Sequence, residues 1–333
     1  GFGVVGQNLA KLLLSRNEDL YALYGMKPRI IAVVDSKGSA TSTSGLDLQR
    51  LLDAKKTKGS VSRYGDGNDG GTTEVEELIE SVGAEVVIET TPTNLKTGEP
   101  GTAHIISAIK NGRNVITTNK GPLALALPSL IELAEYNNVM LRFSGTVGGG
   151  TPILEFAKRC LKGDHILSFR GILNGTTNYI LTRMEEAGLS FSEAMNDAKE
   201  KGYAEADPSL DIDGYDAAAK LVIMANWIMR MKVTMKDVNF TGIRNVTTDG
   251  MKDALKRNNA IKLIAESNKE LTVKPTEVPK SDPLCVNGTL NAVTFSSEYS
   301  GQQTIIGRGA GGMETASAVL RDLIEIRDAM GRV

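Results

Sequence analysis

The chain has little cysteine, little histidine and no long apolar run. Two cysteines in 333 residues, Cys160 and Cys285, cannot build a disulfide framework or a four-thiolate zinc site. That usage fits a reducing, cytoplasmic setting. His104 and His165 are the only histidines, so Ser–His nucleophilic catalysis and three-histidine zinc sites are poorly supplied. Acid–base chemistry therefore falls to lysine and carboxylate. No apolar run approaches the ~20 residues of a membrane span, and no signal peptide is visible. A formal net charge of −2 gives no general attraction to nucleic acid or anionic lipid. There is no internal repeat and no low-complexity tract. The opening GFGVVG has no methionine and no strand before it, so an apolar strand is expected upstream of Gly1.

What is present reads as a globular protein of two domains, with 41% hydrophobic and 23% charged residues. Up to about residue 145, apolar strand-like runs alternate with amphipathic helices. The strands are RIIAVVD (29–35), EVVIE (85–89), NVITT (114–118) and VMLRFSG (139–145). Helices are expected over QNLAKLLLSR, LDLQRLLDAKK, VEELIESV, GTAHIISAIKNG and LPSLIELAEYNN, with loops at 36–45 and 57–73. This alternation predicts an α/β fold with a doubly wound, Rossmann-type parallel sheet. After a glycine turn, TVGGGTP (146–152), the pattern changes. A helix is expected through Lys162, a strand at 165–173, two further helices, and a long apolar helix at 213–232. AIKLIAES, ELTVKPTEV, LNAVTFSS and QQTIIG then alternate like strands of a second sheet. The last helix (311–331) again suits a dinucleotide fold. Residues 1–145, completed by about 308–333, are therefore assigned to a dinucleotide-binding domain, and 146–307 to an inserted α+β domain.

Gly1, Gly3 and Gly6 form G-x-G-x-x-G before a helix. Such glycines let the backbone approach a pyrophosphate, and the helix N-terminus supplies N–H donors. Asp35 ends the next strand, where an acid can hydrogen-bond a ribose hydroxyl. It lies 29 positions after Gly6, beyond the usual ~20. Ser36 and Lys37 follow it and suit a 2′-phosphate, so NAD and NADP both stay open. Thr90, Thr91, Asn119 and Lys120 lie in loops after strands, at the carboxyl ends where ligands sit in open parallel sheets. The carbonyls of TVGGGTP suit either a tight turn or a hard monovalent cation. GILNGTTNYIL (171–181) reads as a helix start capped by Asn174 or Thr176, or as a polar ligand rim that includes Gly175.

The stretch EADPSLDIDGYDAAAK (205–220) crowds Glu205, Asp207, Asp211, Asp213 and Asp216 before Lys220. A calcium loop fits poorly, because Ser209 would stand first and Lys220 twelfth, where a bidentate Glu belongs. Asp211 or Asp213 is expected to cap a helix carrying Asp216 and Lys220 at i and i+4, on one face.

GFGVVG, TTNKGPLA, TVGGGTPI, GILNGTTNYIL, EADPSLDIDGYDAAAKL and GRGAGGMETASAVLRDL occur in this order. Together they resemble the homoserine dehydrogenase family, across nearly the whole chain. The resemblance implies interconversion of L-aspartate 4-semialdehyde and L-homoserine with NAD(P)H, by a cytoplasmic homodimer acting on a small molecule. It implies Lys220 as proton donor, Asp216 as its acidic neighbour, and Lys120 at the nicotinamide. It places Glu205 and Asp211, with Gly175 and Thr176, at the substrate. Gly1, Gly3, Val4, Val5, Gly6, Asp35, Thr90, Thr91, Lys120 and Gly311 fall at the cofactor. Val147, Gly149 and Thr151 match backbone ligands of sodium, although Ser144 stands where some members place a Glu. The inserted domain is implied to bind substrate and to dimerise. A dehydrogenase for a related amino acid or semialdehyde, and a non-catalytic NAD(P) sensor, are the rival readings. A thioester route is discounted because neither cysteine falls in the expected crevice.

Overall fold

The computed structural model describes residues 1–64 and 74–331. The described residues fall into two compact units, 1–146 with the segment from Gly312 onward, and 147–311.

In the first unit, β3 (Val86–Glu89), β4 (Asn114–Thr117) and β5 (Leu141–Arg142) form a parallel sheet in that order. Val115 and Ile116 are fully buried, as strands covered on both faces require. The helix Gly101–Lys110 connects β3 to β4, and Lys120–Tyr136 connects β4 to β5. The first helix, Val4–Ser15, packs with the last, Gly312–Met330, over a core of Leu9, Leu13, Leu20, Ile116, Val319 and Leu320. Gly312 is required there, since a Cβ would stand 2.4 Å from Val4 Cγ1 and 2.5 Å from Asn8 Nδ2.

Several expectations need correction. The 36–45 loop contains β2 (Gly38–Thr41), which pairs antiparallel with β1 (Ala32–Asp35). Among the described residues β1 bonds to β2 and not to the parallel sheet. In the expected 57–73 loop, Thr57 and Lys58 complete the Leu48–Lys58 helix and Val61–Arg63 make a 3₁₀ turn, while 65–73 lie outside the described residues. The helix expected from Leu127 starts at Lys120, because Asn119 caps it, and kinks at Ala126 ahead of Pro128. The strand expected at 139–145 shortens to β5, with a 3₁₀ turn at Ser144–Thr146. A helix at Asn17–Tyr24 was not expected.

The second unit is built on a six-stranded sheet in the order β11-β10-β6-β8-β9-β7. These are β6 (Ile166–Ile172), β7 (Val238–Phe240), β8 (Asn259–Ser267), β9 (Leu271–Pro279), β10 (Leu290–Ser297) and β11 (Gly301–Arg308). All neighbours are antiparallel except β7 and β9. The expected second sheet is present; β7 and the helix Thr248–Lys256 are additions. The helix expected through Lys162 is a short α-turn, Ile153–Glu155, followed by a π-turn, Phe156–Cys160. The long helix runs Tyr215–Met229, shorter than 213–232, ending where Arg230 turns left-handed (φ 56°). Ala217 to Asn226 are all buried, which explains a helix apolar on every side.

Candidate active site

In the second unit, β6 delivers Leu173 and Asn174 to the start of the Gly175–Ala187 helix. Asn174 is extended and caps that helix, its Oδ1 accepting from Thr177 N at 2.9 Å. The amide end of the same side chain donates to Asp211 Oδ1 (2.6 Å) and Asp216 Oδ2 (2.8 Å). Asn174 thus ties two carboxylates together while using its carbonyl elsewhere.

Gly214 occupies the cap position before Tyr215 in the left-handed region (φ 90°), with no side-chain cap. The expected Asp211 or Asp213 cap is therefore not formed. Asp211 turns to Asn174, and Asp213 pairs with Arg244, whose Nη2 lies 3.0 Å from Oδ2. Asp216 sits in the first turn, where negative charge is favoured. One turn on, Lys220 Nζ lies 2.7 Å from Asp216 Oδ2 and donates to the Leu173 carbonyl at 2.7 Å. Lys220 is 7% exposed. An ammonium has three donors, and these two contacts use two of them.

Burial first, and then the charge of Asp216, raise the pKa of Asp211 above its ordinary value. Donation from Asn174 and the charge of Lys220 only partly offset this. Glu205 is exposed on the loop before Pro208. Thr176 Oγ1 donates to the Tyr203 carbonyl (2.8 Å), and a Cβ on Gly175 would stand 2.8 Å from the Thr289 carbonyl. Gly242 packs on the acidic segment so closely that a Cβ would stand 2.0 Å from the Ile212 carbonyl oxygen and 2.5 Å from Asp213 Cα. Neither Gly242 nor Arg244 was flagged by the sequence. The signal is tertiary, since Arg244 lies 31 positions from Asp213.

Also in this unit, Gly148 (φ 84°) and Gly149 (φ 51°) are both left-handed. Thr151 N donates to the Gly148 carbonyl, and the Thr151 carbonyl accepts from Ile153 N, both at 2.8 Å. Val147 is fully buried. Gly311, the last residue of the unit, has φ 137°.

In the first unit, Gly3 stands before the Val4–Ser15 helix without a side-chain cap, and a Cβ there would meet nothing within 4 Å. Open space before uncapped helix N–H groups is what a pyrophosphate needs. Gly6 is required for another reason, because its Cβ would lie 2.7 Å from the Gly1 carbonyl oxygen. Val4 is 68% exposed and Val5 half-buried at this helix start. Thr90 Oγ1 donates to the Gly1 carbonyl (2.7 Å), joining the end of β3 to the glycine loop. Thr91 N donates to Glu89 Oε1 (2.6 Å), and Lys120 opens the helix that Asn119 caps.

Asp35 has all four acceptor positions filled by the protein. Oδ1 accepts from Lys37 N (2.9 Å) and Ser60 Oγ (3.0 Å); Oδ2 accepts from Lys55 Nζ (2.7 Å) and Val61 N (2.9 Å). Burial would raise its pKa, but donation from Lys55 and then the other donors holds it below the ordinary value.

Against known proteins, residues 1–144 match the homoserine dehydrogenase NAD-binding domain and residues 152–324 match the homoserine dehydrogenase domain. The chain belongs to the homoserine dehydrogenase family. A homoserine dehydrogenase of Methanocaldococcus jannaschii is 46% identical over 98% of this chain and 96% of its own. An NAD(+)-dependent homoserine dehydrogenase of Pseudomonas canavaninivorans is 39% identical over 100% of this chain and 96% of its own. The crystal structure of a putative homoserine dehydrogenase from Archaeoglobus fulgidus superposes with a TM-score of 0.90 at 40% identity, covering 98% of this chain and 97% of that one. The chain is accordingly a nicotinamide-dependent oxidoreductase acting on a CH–OH group, with homoserine dehydrogenase activity. Among the described residues, no helix is long and apolar enough to cross a membrane.

Proposed function

We propose that the chain interconverts L-aspartate 4-semialdehyde and L-homoserine with Lys220 as the proton donor and acceptor. The observation that carries this is the buried ammonium of Lys220, held by Asp216 and the Leu173 carbonyl. With two N–H bonds fixed, the third is left to serve a ligand oxygen. In the reducing direction Lys220 gives a proton to the aldehyde oxygen as it becomes an alkoxide, a contribution of about 10²- to 10⁴-fold. Asp216 holds the ammonium in place. When bound, the reduced nicotinamide supplies the hydride to the aldehyde carbon.

Asp211 gives the site its preference for an amino acid. The two carboxylates Asp211 and Asp216 share the ammonium of Lys220, and a substrate ammonium supplies a second positive charge. Glu205 is the second, exposed partner for that ammonium. Gly175 and Thr176 form the polar rim. Lys120 lies at the junction of nicotinamide and substrate, with Thr90, Thr91 and Gly311 contacting the cofactor. The glycine loop from Gly1 to Gly6, with Val4 and Val5, holds the pyrophosphate. A ribose hydroxyl displaces the Ser60 hydroxyl from Asp35, and Ser60 then turns to Ser62 Oγ, 2.9 Å away. The carbonyls of Val147, Gly149 and Thr151 are assigned to a sodium ion; neutral oxygens suit a hard monovalent cation. The first unit serves as the nucleotide domain and the second as the substrate and dimerisation domain of a cytoplasmic homodimer. The dimer rests on the family resemblance, and the compartment on the scarcity of cysteine.

The test is a substrate panel of aspartate semialdehyde and related aldehydes, ranked by kcat/KM with NADH and NADPH, with and without sodium. Aspartate semialdehyde should lead the ranking. A better substrate lacking the amino group would remove Asp211 and Glu205 from recognition.

A further inference from the structure

The first unit contains a buried acid–imidazole pair that the reaction does not use. Glu89 ends β3 and is 3% exposed; His104 lies in the Gly101–Lys110 helix and is 7% exposed. His104 Nδ1 stands 2.7 Å from Glu89 Oε2. Glu89 Oε1 accepts from both the N–H (2.6 Å) and the hydroxyl of Thr91. Burial would raise the pKa of this carboxylate, but donation from His104, first among the opposing causes, holds it below the ordinary value. A charge in so dry a place is costly unless its bonds serve something.

The bonds run in one direction. The Thr91 hydroxyl, having given its proton to Glu89, accepts from Asn119 Nδ2 at 3.1 Å. Asn119 Nδ2 also donates to the Pro92 carbonyl at 3.2 Å. Asn119 Oδ1 accepts from Gly121 N at 3.0 Å and so caps the helix that Lys120 opens. The Lys120 N–H faces Thr93 Oγ1 at 3.4 Å. Gly101 leaves the room this needs, since a Cβ there would stand 2.7 Å from Asn119 Nδ2. Two of these links, Thr91 to Glu89 and Gly121 to Asn119, are local, but the others join separate elements: His104 meets Glu89 across 15 positions, Asn119 meets Thr91 across 28, and Lys120 meets Thr93 across 27. The contacts thus reach from His104 to the backbone amides of Lys120 and Gly121.

We propose that Glu89 and His104 are positioning residues that fix the Thr90–Thr93 segment and Lys120 against the bound cofactor. The proposal rests on the assignment of Thr90, Thr91 and Lys120 to the cofactor. A fixed first contact depends on the groups that lock it from behind, and a looser one binds less well. The pair holds the segment through Glu89 acceptors, so glutamine keeps the hold on Thr91 and leucine loses it. With Glu89→Gln, His104 presents its other tautomer to the new amide.

The experiment measures NADH affinity by fluorescence titration and steady-state kcat and KM, on the full chain, for Glu89→Leu, Glu89→Gln, Thr91→Val and Lys120→Ala, with thermal midpoints alongside. Glu89→Leu and Thr91→Val should weaken NADH binding at least about tenfold, the change that ~1.4 kcal/mol makes. Glu89→Gln should stay near wild type. Thr91→Val, close in shape, keeps the test sound if Glu89→Leu does not fold. Wild-type affinity in Thr91→Val together with weakened binding in Lys120→Ala overturns the positioning role and leaves the cofactor assignment standing. Wild-type affinity in Lys120→Ala as well overturns the assignment itself. Lowered thermal midpoints with unchanged affinity also overturn the proposal, because they mark a role in folding alone.

Discussion

Lys220 Nζ and Asp216 Oδ2 stand 2.7 Å apart, one helical turn from each other on a single face. Asp216 is itself tied by Asn174, which reaches it from a different element. The proposed proton donor is thus held by an acid that is held in turn. Asp216→Asn removes the ion pair but keeps an acceptor oxygen. It should lower kcat about 10- to 100-fold with KM for the cofactor unchanged. Steady-state kinetics check this; an unchanged kcat contradicts a role for Asp216 beyond its favourable charge in the first helical turn.

Asp211 has a pKa above its ordinary value of 3.8, caused first by burial and then by Asp216. An acid whose folded value is raised binds more protons folded than unfolded between the two values. Stability from this group therefore falls as pH rises from 3.8 through the folded value and stays reduced above it. Asp211→Asn removes that loss. The variant should melt higher than wild type at pH 7, show no such gain at pH 3, and have a raised KM for aspartate semialdehyde. A lower melting temperature at pH 7 contradicts the electrostatic reading.

Gly242 has no space for a side chain beside Ile212 and Asp213. Gly242→Ala should push the acidic segment away from Asn174 and destabilise the chain by roughly 1–3 kcal/mol. Denaturant unfolding measures the loss, and KM for the amino-acid substrate should rise with it. Unchanged stability would show that the segment yields freely.

Much of this site was legible in the sequence, for a physical reason. Lys220 and Asp216 are neighbours at helical spacing, and G-x-G-x-x-G before a helix needs no tertiary information. What was missed depends on contacts across the fold. Asn174 reaches acids 37 and 42 positions away, and Glu89 meets His104 at a separation of 15. Local rules also lost to tertiary ones. Asp213 has the chemistry of a cap, but Gly214 takes that position and Arg244 takes the carboxylate. Lys120 read as a loop residue because it closely follows a strand, yet Asn119 caps a helix that starts there, with Pro122 tolerated in its first turn. The β2 strand, GSAT, carries no apolar alternation to announce it.

Asp35 and Lys55 form an ion pair at the end of β1, 2.7 Å apart. With the cofactor ribose placed at Asp35 as proposed, the carboxylate would repel a 2′-phosphate while occupying the Lys55 ammonium. Asp35→Asn should release Lys55 and shift the ratio of kcat/KM for NADPH over NADH upward by about tenfold, or ~1.4 kcal/mol. Because Asp35 has its pKa held below the ordinary value, the stability it contributes is present above that value and lost as pH falls through the folded one. Asp35→Asn should therefore lose stability at pH 7, and the loss should shrink as pH falls below 3.8 toward the folded value. An unchanged cofactor ratio contradicts the reading of this pair.

The most direct test of the central claim is the turnover of Lys220→Ala with aspartate semialdehyde and NADH, measured beside its NADH affinity. We expect NADH binding within about twofold of wild type and kcat lowered at least ~10²-fold. Near-normal turnover in that variant would contradict the assignment of Lys220 as the proton donor.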